Sequence, residues 1–386
     1  MLLLPKLKWC SEVVDFPSST STPDSHRFFK FKRDLQMKNL SFKTGIILTA
    51  FITVLFSVFS YGQTPEIPKP NRDELLTEIS KKITDNYIFP DVANAINSTI
   101  LSEIKSGHFN NLSNKDFASA LTTSLRTAGK DKHFYVKYLD DYHPETNKVN
   151  DRKQQELDNV SNSLENFGFE SVERLEGNIG YINFRGFAEP KSSETALASA
   201  MNFVSNTNSL IIDLRENRGG DNGMLLLFCS YFLKNKTNIY ETHFRNNGKT
   251  VENWTINKVS GKKYLNKNIY FLTSKNTFSA AEGLAYTLQS YKLAKVIGEQ
   301  TGGAANPIAP FFIDNKYLLL IPVGKVKLTV TNTNWEQIGV TPDEKTKSED
   351  ALKKAQIMAL NAILKNKTRT EISEAEIKEI IKKLEN

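Results

Sequence analysis

Cysteine is nearly absent: only Cys10 and Cys229 occur in 386 residues. Cys229 sits in the apolar run MLLLFCSYFL and is expected to be a small buried hydrophobe. No disulfide framework is expected. There is no CxxC pair and no HExxH, so no ligand set for zinc can be named, and neither metal nor cofactor is expected. Internal repeats are missing too. Lys and Arg exceed Asp and Glu to give +7, but the excess is spread over stretches such as KKITDN and EIIKKLEN. Without a dense basic stripe interleaved with aromatics, nucleic acid is not an expected partner. A composition of 39% hydrophobic and 24% charged residues is that of an ordinary soluble globular protein.

One uncharged apolar run stands out, Ile46–Phe59. It is short for a span, which needs about 20 residues. Lys38 and Lys43 precede it, and Ser60 and Gly62 follow. That is the layout of a secretory signal peptide over 37–62, cleaved before Gln63. A retained anchor is the alternative. With no cysteine after the run, a lipid-anchored form is not expected. Residues 1–36 are polar and patternless, and Met37 is read as the true start. The expected product is exported, periplasmic or extracellular, without stable membrane insertion after cleavage.

Residues 63–72 form a Pro-rich linker. A small helical N-terminal domain is expected over 73–138. Its first helix buries Leu75, Leu76, Ile79 and Ile83. The second starts with Asp91 as N-cap and stops at Gly107. The third opens on Ser113 with Asp116 in a capping box. KHFYVKYL then alternates like a strand. A polar helical connector, 139–168, leads to strands alternating with helices over 169–350, an α/β core. Residues 351–386 are C-terminal helices.

Four places carry possible chemistry. Ser279 joins the apolar run NIYFLTS to a helix. Taken alone it fits a helix cap. It also fits a nucleophile, because a helix start supplies free N–H groups and a positive dipole end. The paired glycines Gly219 and Gly220 end the buried strand SLIIDLRENRGG. They suit either a plain turn or an oxyanion hole of backbone amides. His133 is a candidate base in DKHFYV, where a packed histidine is equally ordinary. His108, His143 and His243 lie in polar or loop-like surroundings and are given no role. Glu336, in NWEQIGVTPDE, is either a surface residue or the acid that orients a histidine. Asp343 reads as a turn former.

Taken together and in order, DKHFYV, IIDLRENRGGDNG, TFSAAEGLAYTLQ…VIGEQTGGA and WEQIGVTPDE resemble the carboxy-terminal processing (tail-specific) serine peptidases. The YIFPDVA segment is similar to the N-terminal domain of the branch that includes tricorn core protease and interphotoreceptor retinoid-binding protein. The resemblance implies a crotonase/ClpP-like α/β core preceded by a small helical domain, with the cleft between them. Part of that family uses a serine–lysine dyad, its lysine in a glycine-rich turn. Here the turn reads TGGA, and Ala304 stands at the lysine position. Too few residues separate Tyr138 and Phe169 for an inserted PDZ domain. The resemblance therefore implies the PDZ-less branch and a triad of Ser279, His133 and Glu336. Gly219, Gly220 and the Ala280 amide would form the oxyanion hole. Tricorn-type enzymes carry serine just before the histidine, whereas this chain has Lys132. The implied activity is hydrolysis of peptides or unfolded protein tails. The alternative is a non-catalytic protein binding a peptide or an apolar ligand in the same cleft.

Overall fold

The computed structural model describes residues 72–140, 157, 159–367 and 371–386. The expected extension 1–36, the signal peptide 37–62, nearly all of the linker and about half of the connector lie outside the described residues. Among those described, no helix is long and apolar enough to cross a membrane.

The chain begins with three amphipathic helices. Helix α1 (Arg72–Asn86) buries Leu75, Leu76, Ile79 and Ile83, the expected stripe. Each such side chain removed from water stabilises the fold by about 1.5–3 kcal/mol. Helix α2 (Pro90–Lys105) starts two residues earlier than expected, with Phe89 rather than Asp91 at the N-cap position. Pro90 explains the shift, since its fixed φ suits the first helical position, where no N–H is needed. Helix α3 (Asn114–Gly129) starts as expected, with the Ser113 side chain accepting the Asp116 amide. Strand β1 (Tyr135–Tyr138) follows.

The core is a six-stranded sheet in the order β12-β8-β7-β4-β3-β2. Its strands are β2 (Phe169–Leu175), β3 (Ile179–Phe184), β4 (Ser209–Asp213), β7 (Asn268–Thr273), β8 (Ala294–Gly298) and β12 (Glu344–Lys345). All pairings are parallel except β2 with β3. Helices α4 (Pro190–Val204), α5 (Asn222–Ser230) and α6 (Ala280–Ser290) share one hydrophobic cluster with one face of the sheet. Helices α7 (Ala351–Asn366) and α8 (Glu374–Glu385) cover the other. Strand β4 is buried along its whole length, as a central parallel strand must be. The result is a mixed α/β fold with a helical N-terminal region, as expected. Cys229 is free and fully buried.

Two strands near the C-terminal end of the core lie outside the large sheet. Strand β10 (Tyr317–Pro322) pairs with β1, Tyr135 opposite Leu320 and Tyr138 opposite Tyr317, and β9 (Ile308–Ile313) pairs with the other edge of β10. Ile313, Tyr317, Leu319 and Ile321 lie in the cluster of α1–α3. The helical region is thus completed by residues nearly two hundred positions downstream. A separate small sheet joins β11 (Gly324–Leu328), β5 (Asn238–Phe244) and β6 (Thr250–Trp254).

Candidate active site

Strands β4 and β7 lie side by side and parallel, with Asp213 opposite Leu272. Their carboxyl ends therefore open on the same edge, the usual place for a ligand in such sheets. The DLRENRGG turn leaves β4 there. Asp213 is buried and gripped by the Arg215 fork, with contacts of 2.6–3.1 Å, and by the Tyr181 hydroxyl at 2.8 Å. Asn217, fully buried, donates to the Phe184 carbonyl at 2.8 Å and accepts the Gly219 amide at 2.8 Å. The Asn217 carbonyl also accepts the Phe278 amide at 3.0 Å, which joins the two turns.

Ser279 is the residue just before α6. Its φ of 54° and ψ of −120° are a strained setting for a non-glycine residue. The Ser279 amide donates to Glu282 at 2.8 Å, while its Oγ lies 3.3 Å from His133 Nε2. The side chain therefore turns towards the histidine. A Cβ placed on Gly219 would fall 2.8 Å from both the Ala280 nitrogen and the Ser279 Cβ. Only glycine, here at φ 93°, lets the two turns come this close. The Gly220 φ is 137°, and a Cβ there would fall 2.3 Å from the Phe187 carbonyl oxygen. The Ala280 amide opens the helix, where an N–H has no intrahelical acceptor. Of the three expected oxyanion-hole amides, that of Gly219 is engaged by Asn217, which leaves Gly220 and Ala280 as the better-placed donors.

His133 comes from the turn between α3 and β1. Lys130 ends α3 in the left-handed conformation, and Asp131 then accepts the His133 amide at 3.0 Å. The imidazole packs edge-on to the Phe278 ring at 5.1 Å, and the residue is 7% exposed. Burial, and after it the charge of Arg126, push its pKa down to about 3, so the ring rests neutral. Its Nδ1 makes no hydrogen bond.

Glu336 makes no hydrogen bond to the imidazole, although one of its oxygens lies within 4.8 Å of a ring nitrogen. Its Oε2 accepts the amides of Ala305 at 2.6 Å and Asn306 at 3.0 Å, while Oε1 is buried without a partner. Atoms of Asp131, His133 and Glu336 converge to within 4.8 Å of one another. Burial, then the Asp131 charge, push the Glu336 pKa up to about 8. These three are also the one cluster of metal-ligating side chains among the described residues. The donor set suits proton handling better, because the carboxylates already accept several N–H groups and a metal on Nδ1 would take the site of the orienting proton.

The turn that carries lysine in dyad enzymes has a different duty here. The Gly303 and Ala304 amides donate to Glu282 at 2.6 and 3.0 Å, while the next two amides hold Glu336. Ala304 is fully buried. Lys132 reaches the same turn from outside, donating to the Gly302 carbonyl at 2.5 Å. Glu282, fully buried, ties Ser279 to this turn, and burial pushes its pKa up to about 7. Asp131, Asn217, Glu282 and Asn306 were not among the expected site residues. His108 and His243 lie away from this cluster on α2's C-terminal turn and on β5, and His143 is outside the described residues. Asp343, expected as a turn former, accepts the Val296 amide of β8 at 2.7 Å, a contact between distant segments rather than within a turn.

Residues 178–346 match the description "Peptidase family S41". Residues 69–170 match the N-terminal domain of peptidase S41 in eukaryotic IRBP. The chain is 29% identical over 178 residues to the chloroplastic carboxyl-terminal-processing peptidase 2 of Arabidopsis thaliana, covering 43% of this chain and 31% of that protein. It is 27% identical over 166 residues to the carboxyl-terminal-processing protease of Synechocystis, covering 43% and 37%. It thus spans about a third of the length of these curated relatives. Among solved structures, a lipoprotein from Streptococcus agalactiae shares the fold, with a TM-score of 0.52 and 18% identity over 76% of this chain and 98% of that one.

Proposed function

Because the chain belongs to peptidase family S41, we propose that it is a serine peptidase cutting peptides or unfolded protein tails through an acyl-enzyme on Ser279. His133 is the base and later the acid, and Glu336 orients it. Ser279 Oγ attacks the scissile carbonyl and passes its proton to Nε2. The oxyanion is met by the Ala280 and Gly220 amides at the positive end of α6. The imidazolium then protonates the leaving amine, and a water repeats the cycle to free the acid. The observation that carries this reading is the 3.3 Å approach of Ser279 Oγ to His133 Nε2 at a strained helix start. A protein that only binds peptide or apolar ligand has no use for a strained serine aimed at a buried, neutral imidazole.

Incubating the purified protein with unstructured peptides and weighing the products tests it. Wild type should release fragments, and Ser279→Ala should release none. Equal product from both would end the assignment of this site.

Export belongs to the same proposal. Lys38, Lys43, the run Ile46–Phe59 and the small residues Ser60 and Gly62 support a periplasmic or extracellular location. The mass of the native protein should place its N-terminus at Gln63, whereas a chain keeping 46–59 would be anchored.

A further inference from the structure

The His133 imidazole faces two carboxylates. Asp131 is 1% exposed. Its Oδ1 accepts the His133 amide at 3.0 Å and stands 3.8 Å from Nδ1. Its Oδ2 accepts the Asn306 side-chain amide at 3.1 Å and the Tyr87 hydroxyl at 3.5 Å. Asn306, also 1% exposed, gives its backbone N–H to Glu336 Oε2 at 3.0 Å. One asparagine therefore clasps both carboxylates, on the turn that carries lysine in dyad enzymes.

A buried carboxylate is costly unless a cation or several donors hold it. Arg126, the nearby cation on α3, gives its Nε to the Phe134 carbonyl at 2.8 Å. The groups facing the pocket are thus Tyr87 from the end of α1, Arg126 from α3, His133, Asn306, Glu336 and, behind Glu336, Glu282. Only the imidazole lies close to Asp131 and can become a cation during the reaction. Both Asp131 oxygens act as acceptors, which an asparagine with its single oxygen could not reproduce, and the carboxylate can support a cation formed on the imidazole beside it.

We propose that Asp131 is a second orienting carboxylate for His133. With Glu336 it keeps the proton on Nδ1, aims Nε2 at Ser279, and supports the imidazolium formed when Ser279 gives up its proton. Asp131 acts through the imidazole and is a positioning residue. The proposal rests on His133 being the base.

The test begins with fluorophosphonate labelling of the full chain. If Ser279 labels no slower in His133→Ala than in wild type, the base assignment itself fails, whatever Asp131 does. Where that control holds, Asp131→Asn should lower kcat roughly ten- to a hundredfold, the scale of an outer hydrogen-bonding partner, with KM nearly unchanged. The acid limb of kcat/KM should also move to lower pH by roughly one unit or more, since a like charge beside Glu336 is gone. Asp131→Glu should keep the limb near its wild-type position. A folded Asp131→Asn protein with an unmoved limb overturns the proposal, even with reduced kcat, because that is what a purely structural role gives.

If Asp131→Asn does not fold, Asn306→Ala decides. It leaves Asp131 in place but removes a donor that favours its charged form. The kcat loss should recover as pH rises and Asp131 ionises. A loss equal at all pH values overturns the proposal.

Discussion

Raising pH should activate this protein at a point set by a pair of groups. A lone histidine base would give an acid limb near its ordinary pKa of about 6.5. Here burial pushes His133 down to about 3 and Glu336 up to about 8. The reactive form needs a neutral imidazole and an ionised Glu336. Between those values the pair holds one proton, on the carboxyl in the resting state, and only its loss gives the reactive form. Glu336 shares the pocket with Asp131, whose pKa burial also raises, so the macroscopic midpoint belongs to the two carboxylates together. We expect kcat/KM to rise about tenfold per pH unit below 8 and to level off above it. At pH 6 it should be roughly a hundredfold below the plateau. Glu336→Gln removes the group that titrates near 8, so the limb should drop to the low imidazole value and the profile should be flat from pH 5 to pH 9. The plateau should fall roughly 10²–10⁴-fold through loss of orientation and charge support, and towards the smaller figure because Asp131 remains beside Nδ1. The assay is the initial rate on one internally quenched peptide in constant-ionic-strength buffers. A wild-type limb near 6.5 that persists in Glu336→Gln would refute the coupling and leave His133 as an isolated base.

Two further outcomes follow from backbone geometry. Ser279 holds φ 54°, a setting that costs a non-glycine residue about 1–3 kcal/mol, so Ser279→Gly should be about 1 kcal/mol more stable than Ser279→Ala by urea unfolding, while both are inactive. Gly219→Ala would put a Cβ 2.8 Å from the Ala280 nitrogen, and kcat should fall roughly 10²–10³-fold, the scale of losing one oxyanion donor, as measured by steady-state kinetics.

Much of this architecture is legible in the sequence where one physical signal dominates. The stripe Leu75, Leu76, Ile79, Ile83 gives α1, and the unbroken apolar runs SLIID and NIYFLT give two central parallel strands. Strand β9 is hidden, because IAPFFI has no alternating pattern and holds a proline, and its partner β10 serves the helical region through pairings with β1. Long-range pairing of that kind leaves no local trace. Strands β5 and β6 are also missed. At the site, Ser279, His133 and Glu336 could be named from motifs because each ends or flanks a recognisable element. Asp131 and Asn306 could not, since an acid in a polar turn and an asparagine after TGGAA look like solvent-facing residues. They are held against each other, across 175 positions of sequence, and Asp131 also against Tyr87. Asn217 was hidden for a similar reason: its neighbours Glu216 and Arg218 are exposed, and only the crossing of two turns encloses it.

The proposed peptidase activity requires Ser279 to be a nucleophile made reactive by His133. The direct measurement is fluorophosphonate modification of the full chain near pH 8, mapped by mass spectrometry and timed. Wild type should carry one adduct, on Ser279. Ser279→Ala should carry none, and His133→Ala should label at least a hundredfold more slowly, consistent with the roughly 10²–10⁴-fold worth of a general base. An unmodified Ser279, or a His133→Ala protein that labels at the wild-type rate, would contradict it.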